Sequence, residues 1–380
     1  MQYGNNYVNE NYSKIVEPNL YGDAVMQPGK TFNAEHQGDA NAGLVKIYKQ
    51  TRDEGGDPEK PAGDFSHENT SNTLIDLRLN NAFRKSKKIH KVTANSVSYQ
   101  MAESVLSTAT QDVQEDWQQS ALACLVNEGT ILADTSAITA ANLKTSILAL
   151  RRALRKKHAR PDCAIASVDL YSTMLEVAGK DYTPSTNENT LTSGRVGQWL
   201  GMTWYEGDLL DKVAAKYYSH DDSDTPKTVD LSIVDLIMYD HRAFHCVDNL
   251  EVIRLVDATD FVGTYAQVEI NSGFRVSNPD MVAIRKKAAP DCTLSALTLG
   301  SLTLTPVFDA DTTSYTTTTT NASNVITATA ADSAATVAID VDGTPVASGS
   351  TATWNSGVNV VTVTVTNDAH SKVYTVAVTK

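Results

Sequence analysis

The chain is short of cysteine. Its four, Cys124, Cys163, Cys246 and Cys292, stand too far apart for metal or redox spacing. That excludes a disulfide scaffold and reads as reduced thiols made in a cytosol. Positive charge is also scarce: 32 Lys and Arg stand against 45 Asp and Glu, for a formal net charge of −13. Such a balance argues against coating nucleic acid in bulk. No apolar run reaches the roughly 18 residues that a membrane-spanning helix needs. The opening MQYGNNYVNENY has neither a basic start nor an apolar segment, so it does not read as a secretory signal. A nucleotide-binding glycine loop and a nucleophile elbow are both missing. No catalytic, cofactor-binding or metal-ligating residue is therefore expected, and an enzyme is the last reading to reach for.

A few groups have the residue types that bind metals. His241 and His245 are four apart and could share a helical face, but no clear third ligand accompanies them. His220 with Asp221, Asp222 and Asp224 could hold a cation, although a solvated acidic loop explains them better. Asp309 and Asp311 invite a calcium reading, and turn-forming Asp explains them equally well.

What is present is organised around residues 98–129. Val97, Met101, Val105, Ala109, Val113, Trp117, Ala121 and Cys124 recur every three or four residues, with Gln, Glu and Asp between them. This predicts one helix roughly 48 Å long, capped by Asn95 or Ser96, ended by Gly129, and packed along one narrow side. Residues 1–43 are polar and aperiodic, so they are read as disordered or as an arm ordering against a neighbour. Residues 44–52 and 73–80 alternate as two strands around the Gly- and Pro-rich stretch 53–72. They form a long hairpin whose apolar face needs a partner, such as another subunit. The basic run 84–91 is open between a solvated hairpin base and a contact with nucleic acid or an acidic neighbour.

Beyond the long helix, Leu143, Ile147, Leu150 and Leu154 mark a second helix. Its end, the run 151–160, is basic, which complements the helix dipole; an anion site is secondary. A buried strand is expected over 162–166, a helix over 168–178 ending at Gly179, and a loop over 180–193. Residues 219–228 read as an acidic loop and 229–239 as a central strand. Further strands follow at 250–256 and 265–270. From Cys292 onward Thr and Ala dominate, and the basic residues are Lys372 and Lys380. Alternating stretches at 323–329, 336–341, 359–366 and 372–378, separated by turn signals, predict a small all-β sandwich after the linker 288–291.

The order of arm, hairpin, long helix, mixed α/β segment and closing strands resembles a tailed-bacteriophage major capsid protein over residues 1–287. The residues that carry this are the helix 98–129, the pairing of AIASVDLY (164–171) with GRVGQWLGM (194–202), and the closing FRVSNPDMVAI (274–284). The resemblance implies an α+β capsid fold. It would comprise an arm (1–43), an extended hairpin loop (44–97), a spine helix and peripheral domain (98–139), an axial domain (140–249) and a return to the peripheral domain (250–287). Residues 292–380 resemble the cadherin-like, immunoglobulin-like sandwiches appended to bacterial and phage surface proteins. That likeness rests on LSALTL (294–299), LTPVF (304–308), TSYT (313–316) and KVYTV (372–376).

The function implied is a shell of pentamers and hexamers enclosing double-stranded DNA in the virion, the subunit being made in the host cytoplasm. Scaffolding and portal proteins would be separate chains, and no scaffolding segment is seen before the arm. DNA contact would be non-specific, and the sandwich would face outward, able to touch host surfaces or glycans. No cofactor and no membrane partner is implied. An encapsulin-like nanocompartment shell is the alternative within the fold, and a surface adhesin the alternative outside it.

Overall fold

The computed structural model describes residues 25–35, 43–50, 72–91, 101–181, 198–221 and 224–380. The chain divides into two units, Met1–Lys287 and Ala288–Lys380. In chain order the first holds β1 (Leu44–Gln50), β2 (Asn72–Arg78), β3 (Asn81–His90), the long helix α1 (Met101–Glu128) and β4 (Thr130–Ile131). Next come α2 (Leu143–Lys156), β5 (Cys163–Ala166), α3 (Val168–Asp181), β6 (Gln198–Trp199), β7 (Met202–Glu206), β8 (Ala215–Tyr217) and β9 (Lys227–Val229). β10 (Val234–Tyr239), β11 (Phe244–Asp257), β12 (Gly263–Val276) and β13 (Val282–Lys286) complete it.

Helix α1 changes character along its length. In its first half Ala109 and Val113 pack on Val268, while the opposite side stays wet. From 117 to 126 every residue is buried. The expectation of packing along one side therefore fails for this half. Polar residues in this half are hydrogen-bonded. Gln118 Oε1 accepts the Val25 N–H at 2.8 Å, and the Ser120 hydroxyl donates to the Lys216 carbonyl at 2.8 Å. Satisfied polar groups can be buried without the penalty of a lost hydrogen bond. The helix ends at Glu128, and Gly129 follows where a Cβ would meet Ile284 Cδ1 at 2.6 Å. The capping residues expected at 95–96 lie outside the described residues.

A six-stranded sheet, ordered β4-β13-β10-β5-β7-β6, receives the buried end of α1 on one face. Its other face is covered by α2 and α3, through Leu143, Ile147, Leu150, Leu154, Leu170 and Met174. β10 is central and buried at every position, as its apolar run foretold. It begins at Val234 rather than at 229, because the Asp230 side chain accepts the Ser232 N–H in a turn just before it. Helix α3 does not stop at Gly179 but continues to Asp181.

A second sheet, β11-β12-β3, runs along α1. β11 and β12 are far longer than the stretches 250–256 and 265–270, at 14 residues each. They pair from Phe244↔Val276 to Asp257↔Thr264 around one register shift between Asp248 and Leu250. The domain boundary expected at 249/250 thus falls inside a strand, and β13, expected to close a peripheral part, joins the six-stranded sheet.

The second unit is a sandwich of two sheets. β14 (Leu294–Leu299), β16 (Ser323–Ala330) and β19 (Ser350–Thr353) form one. β15 (Ser314–Thr318), β21 (His370–Thr379), β20 (Val358–Asn367), β17 (Thr336–Val341) and β18 (Thr344–Val346) form the other. Inward residues alternate with outward threonines, so Val361, Val363 and Val365 of β20 are fully buried beside Tyr374, Val376 and Val378 of β21.

Candidate assembly surface

Strands β1 and β2 pair antiparallel from Leu44↔Arg78 to Gln50↔Asn72. Alternation puts Val45, Ile47 and Leu77 on one face, where they pack on Val247 of β11. This corrects the expectation that the hairpin's apolar face waits for another subunit: its own chain supplies the partner. Gly273 of β12 permits the approach, since a Cβ there would lie 2.5 Å from the Arg78 carbonyl oxygen. The outer face is different. Tyr48 and Leu74, directly opposite in register, are 76% and 48% exposed.

The basic run 84–91 is not a hairpin base. Residues 84–90 lie in strand β3, at the edge of the long sheet and against α1. Lys85 reaches Asp116 at 2.9 Å and Lys87 reaches Asp112 at 2.7 Å, both on α1. On its other side Arg84 pairs with Glu269 at 2.8 Å and Lys88 with Asp260 at 3.0 Å. These pairs bind the strand to α1, to β12 and to the turn that joins β11 to β12, so the run is largely neutralised within its own chain. At the opposite edge β11 leaves Ile253 and Leu255 about half exposed. A long edge strand with apolar side chains is a surface that a partner must cover.

The described part of the N-terminal arm, 25–35, also turns inward. Val25, Met26 and Phe32 are buried, and the Phe32 ring lies 5.9 Å from that of Trp117. Tyr239 donates its hydroxyl hydrogen to the Thr31 carbonyl at 2.8 Å, and the Asn33 N–H bonds to the Phe244 carbonyl at 2.7 Å. This segment orders against its own helix and sheet. Its tie is Gln118, whose position on α1 read as solvent-facing. The rest of residues 1–43 is undescribed apart from Gly43.

Residues 294–380 match the family described as the cadherin-like beta sandwich domain. No curated protein matches the chain. Among solved structures, a chain from Mycobacterium phage Che8 is 16% identical with a TM-score of 0.57, covering 74% of this chain and 97% of that one. A chain from the capsid structure of the cyanophage P-SCSP1u is 11% identical with a TM-score of 0.58, covering 75% and 94%. One from Mycobacterium phage Ogopogo is 10% identical with a TM-score of 0.52, covering 73% and 96%. The chain has a phage capsid fold.

Within the capsid fold the histidines and most described carboxylates of the metal-type groups have protein partners. His241 opens a short 3₁₀ turn and His245 lies buried on β11, so they share no helical face. His245 Nε2 stands 3.1 Å from the Ser277 hydroxyl. His241 bonds to Asp162 through both its ring Nδ1 and its backbone N–H. Asp162, Asp240 and His241 are close enough together to bind an ion, but Asp240 is taken by the Arg242 guanidinium at 2.9 and 2.6 Å. His220 lies against Arg275 and Glu128. Asp221 accepts from Ser219 and pairs with Lys227 at 2.9 Å; Asp224 is exposed, and Asp222 is not described. Asp309 accepts the Asp311 N–H at 2.8 Å, which is the turn reading.

Two buried polar clusters had no sequence signal. The Arg285 guanidinium, 1% exposed as a side chain, bonds to Asp235 at 2.9 Å and to the Ser136 carbonyl, tying the 132–139 segment to β13. Burial pushes the Asp235 carboxyl above its ordinary range, and Arg285 pulls it partly back. Trp117 donates its indole N–H to Asp248 at 3.0 Å and to Ser272 at 2.8 Å, and the Ser272 hydroxyl donates to Asp248 at 2.5 Å. Burial raises the Asp248 carboxyl, against the two hydrogen bonds.

Proposed function

We propose that the chain is the major capsid protein of a phage, assembling with copies of itself into an icosahedral head shell around double-stranded DNA. The observation that carries this is the extent of the fold likeness: the chain covers 97% of the Che8 phage chain and 94% of the P-SCSP1u capsid chain. The surface supports it. Tyr48 and Leu74 on the outer hairpin face, and Ile253 and Leu255 on the edge strand, are apolar groups in search of cover. Subunits arranged as pentamers and hexamers would supply that cover from neighbours. In this reading α1 is the spine, the six-stranded sheet with α2 and α3 is the axial part, and the β11-β12-β3 sheet is the peripheral part. Scaffolding and portal proteins are separate partners. Residues 292–380 decorate the outer surface and offer a place for host-surface or glycan contact. The role is structural, not enzymatic, and the subunit is made in the host cytoplasm and ends in the virion.

The test is to express the chain with and without a candidate scaffold and to image it by negative-stain electron microscopy. Closed shells of uniform diameter with surface knobs are expected. A monodisperse monomer under every condition would overturn the reading in favour of an adhesin. Shells that load protein cargo and never nucleic acid would favour a nanocompartment.

A further inference from the structure

Helices α2 and α3 cover the same face of the six-stranded sheet, and their inner sides are filled by the core between them and the strands. Among the described residues, the charged side chains on their outer sides are of opposite sign. α2 turns Arg152, Arg155 and Lys156 to solvent with Arg151 half exposed, around Leu148 at 36% exposure. α3 turns Asp169 and Glu176 to solvent, beside Val168 at 43% and Leu175 at 47%. Among the described residues no ion pair joins the two helices. One face of the subunit therefore carries a positive stripe and a negative stripe, each with bare apolar side chains.

The helix dipole accounts for cations in the last turn of α2, where Arg155 and Lys156 sit. It does not account for Arg151 and Arg152, a turn earlier. A nucleic-acid backbone would suit α2, but it would be repelled by Asp169 and Glu176 and would leave Leu148, Leu175 and Val168 uncovered. A second copy of the same face satisfies all three features. Its acidic stripe meets the basic stripe, and the leucines exclude water from the pairs between them.

We propose that the α2/α3 face is a contact between copies of this chain, the basic side of α2 on one copy lying against the acidic side of α3 on the next. The proposal rests on the shell reading above and gives it a specific interface. Full-length R151E/R152E, full-length D169K/E176K and the fourfold combination are compared with the unmodified chain. Closed particles are counted by sedimentation and electron microscopy, and folding is followed by thermal melting. Each double reversal is expected to cut particle yield about tenfold or more by setting like charges together, with the subunit still melting cooperatively. The combination is expected to restore assembly, because the stripes are again opposite. Mere damage to folding would make the combination worse than either parent, and that outcome overturns the proposal. Normal yield from both reversals also overturns it. So does R151E/R152E forming shells that fail to hold DNA, which would assign α2 to nucleic acid. An unmodified chain that makes no particles even with candidate scaffold refutes the shell reading itself, and this contact with it.

Discussion

Asp248 sits where the long sheet meets α1, held by an indole N–H and a hydroxyl and raised in pKa by burial. The sign of its effect on stability follows from linkage. Its folded carboxyl binds a proton more readily than the unfolded one, so the fold is penalised as pH rises from about 4 towards the raised folded value. Below that window the penalty is absent. Asp248→Asn keeps an oxygen that accepts from Trp117 and Ser272 and removes the buried charge. The variant is expected to match or exceed the melting temperature of the parent at pH 7 and to lose stability less steeply than the parent above pH 4. Melting curves from pH 4 to pH 7 check this; a variant markedly less stable at pH 7 would show that the charge itself holds the indole. Asp235 is the contrasting case, because its partner is a full cation. Arg285→Ala strands a carboxylate among buried groups and is expected to cost about 3–5 kcal/mol in denaturant unfolding.

At the scale of elements, the hairpin β1–β2 joins stability to assembly. Its inner face is docked through Leu77 and Val247, and the docking depends on the bare backbone of Gly273. Gly273→Ala sets a Cβ against a backbone carbonyl that cannot swing aside, so about 1–3 kcal/mol is expected to be lost. Faster protease cleavage between β1 and β2 should accompany the loss. Deleting residues 53–72 leaves the inner docking intact and is expected to give a soluble subunit that makes no closed shells. Normal shells from that deletion would remove the hairpin from the assembly surface.

Elements with regular periodicity were legible in the sequence: the alternation at 73–80, the Leu143–Leu154 stripe and the valines of β20. The basic run 84–91 was not, because its lysines are neutralised by Asp112 and Asp116 on a helix distant in sequence. Full burial of α1 between 117 and 126 was hidden for the same reason. Gln118 and Ser120 find backbone partners from residues 25 and 216, and no local pattern announces such pairs. The true lengths of β11 and β12 were masked by the polar residues His245, Asp248, Asn271 and Ser272 inside them.

For the whole molecule, the question is whether the two units depend on each other. The second has a complete core of its own, with Leu294, Ile326, Val361, Val363, Val365 and Tyr374 fully buried. Its aromatic hydroxyls are satisfied internally: Tyr315 donates to the Asp309 carbonyl at 2.6 Å and Tyr374 to that of Ala310 at 2.7 Å. Each fully buried aliphatic side chain contributes about 1.5–3 kcal/mol against the entropy of ordering the chain, and all of these contacts lie within the unit. Residues 292–380 alone are therefore expected to melt cooperatively. Residues 1–288 alone keep α1, both sheets of the capsid fold and the hairpin, so every surface argued above for assembly is retained. That truncation is expected to form closed shells of the same diameter as the full chain, without surface knobs. Electron microscopy of the two side by side decides it. If the truncated chain folds and yet never closes a shell, the sandwich is a clamp on neighbouring subunits and not a decoration.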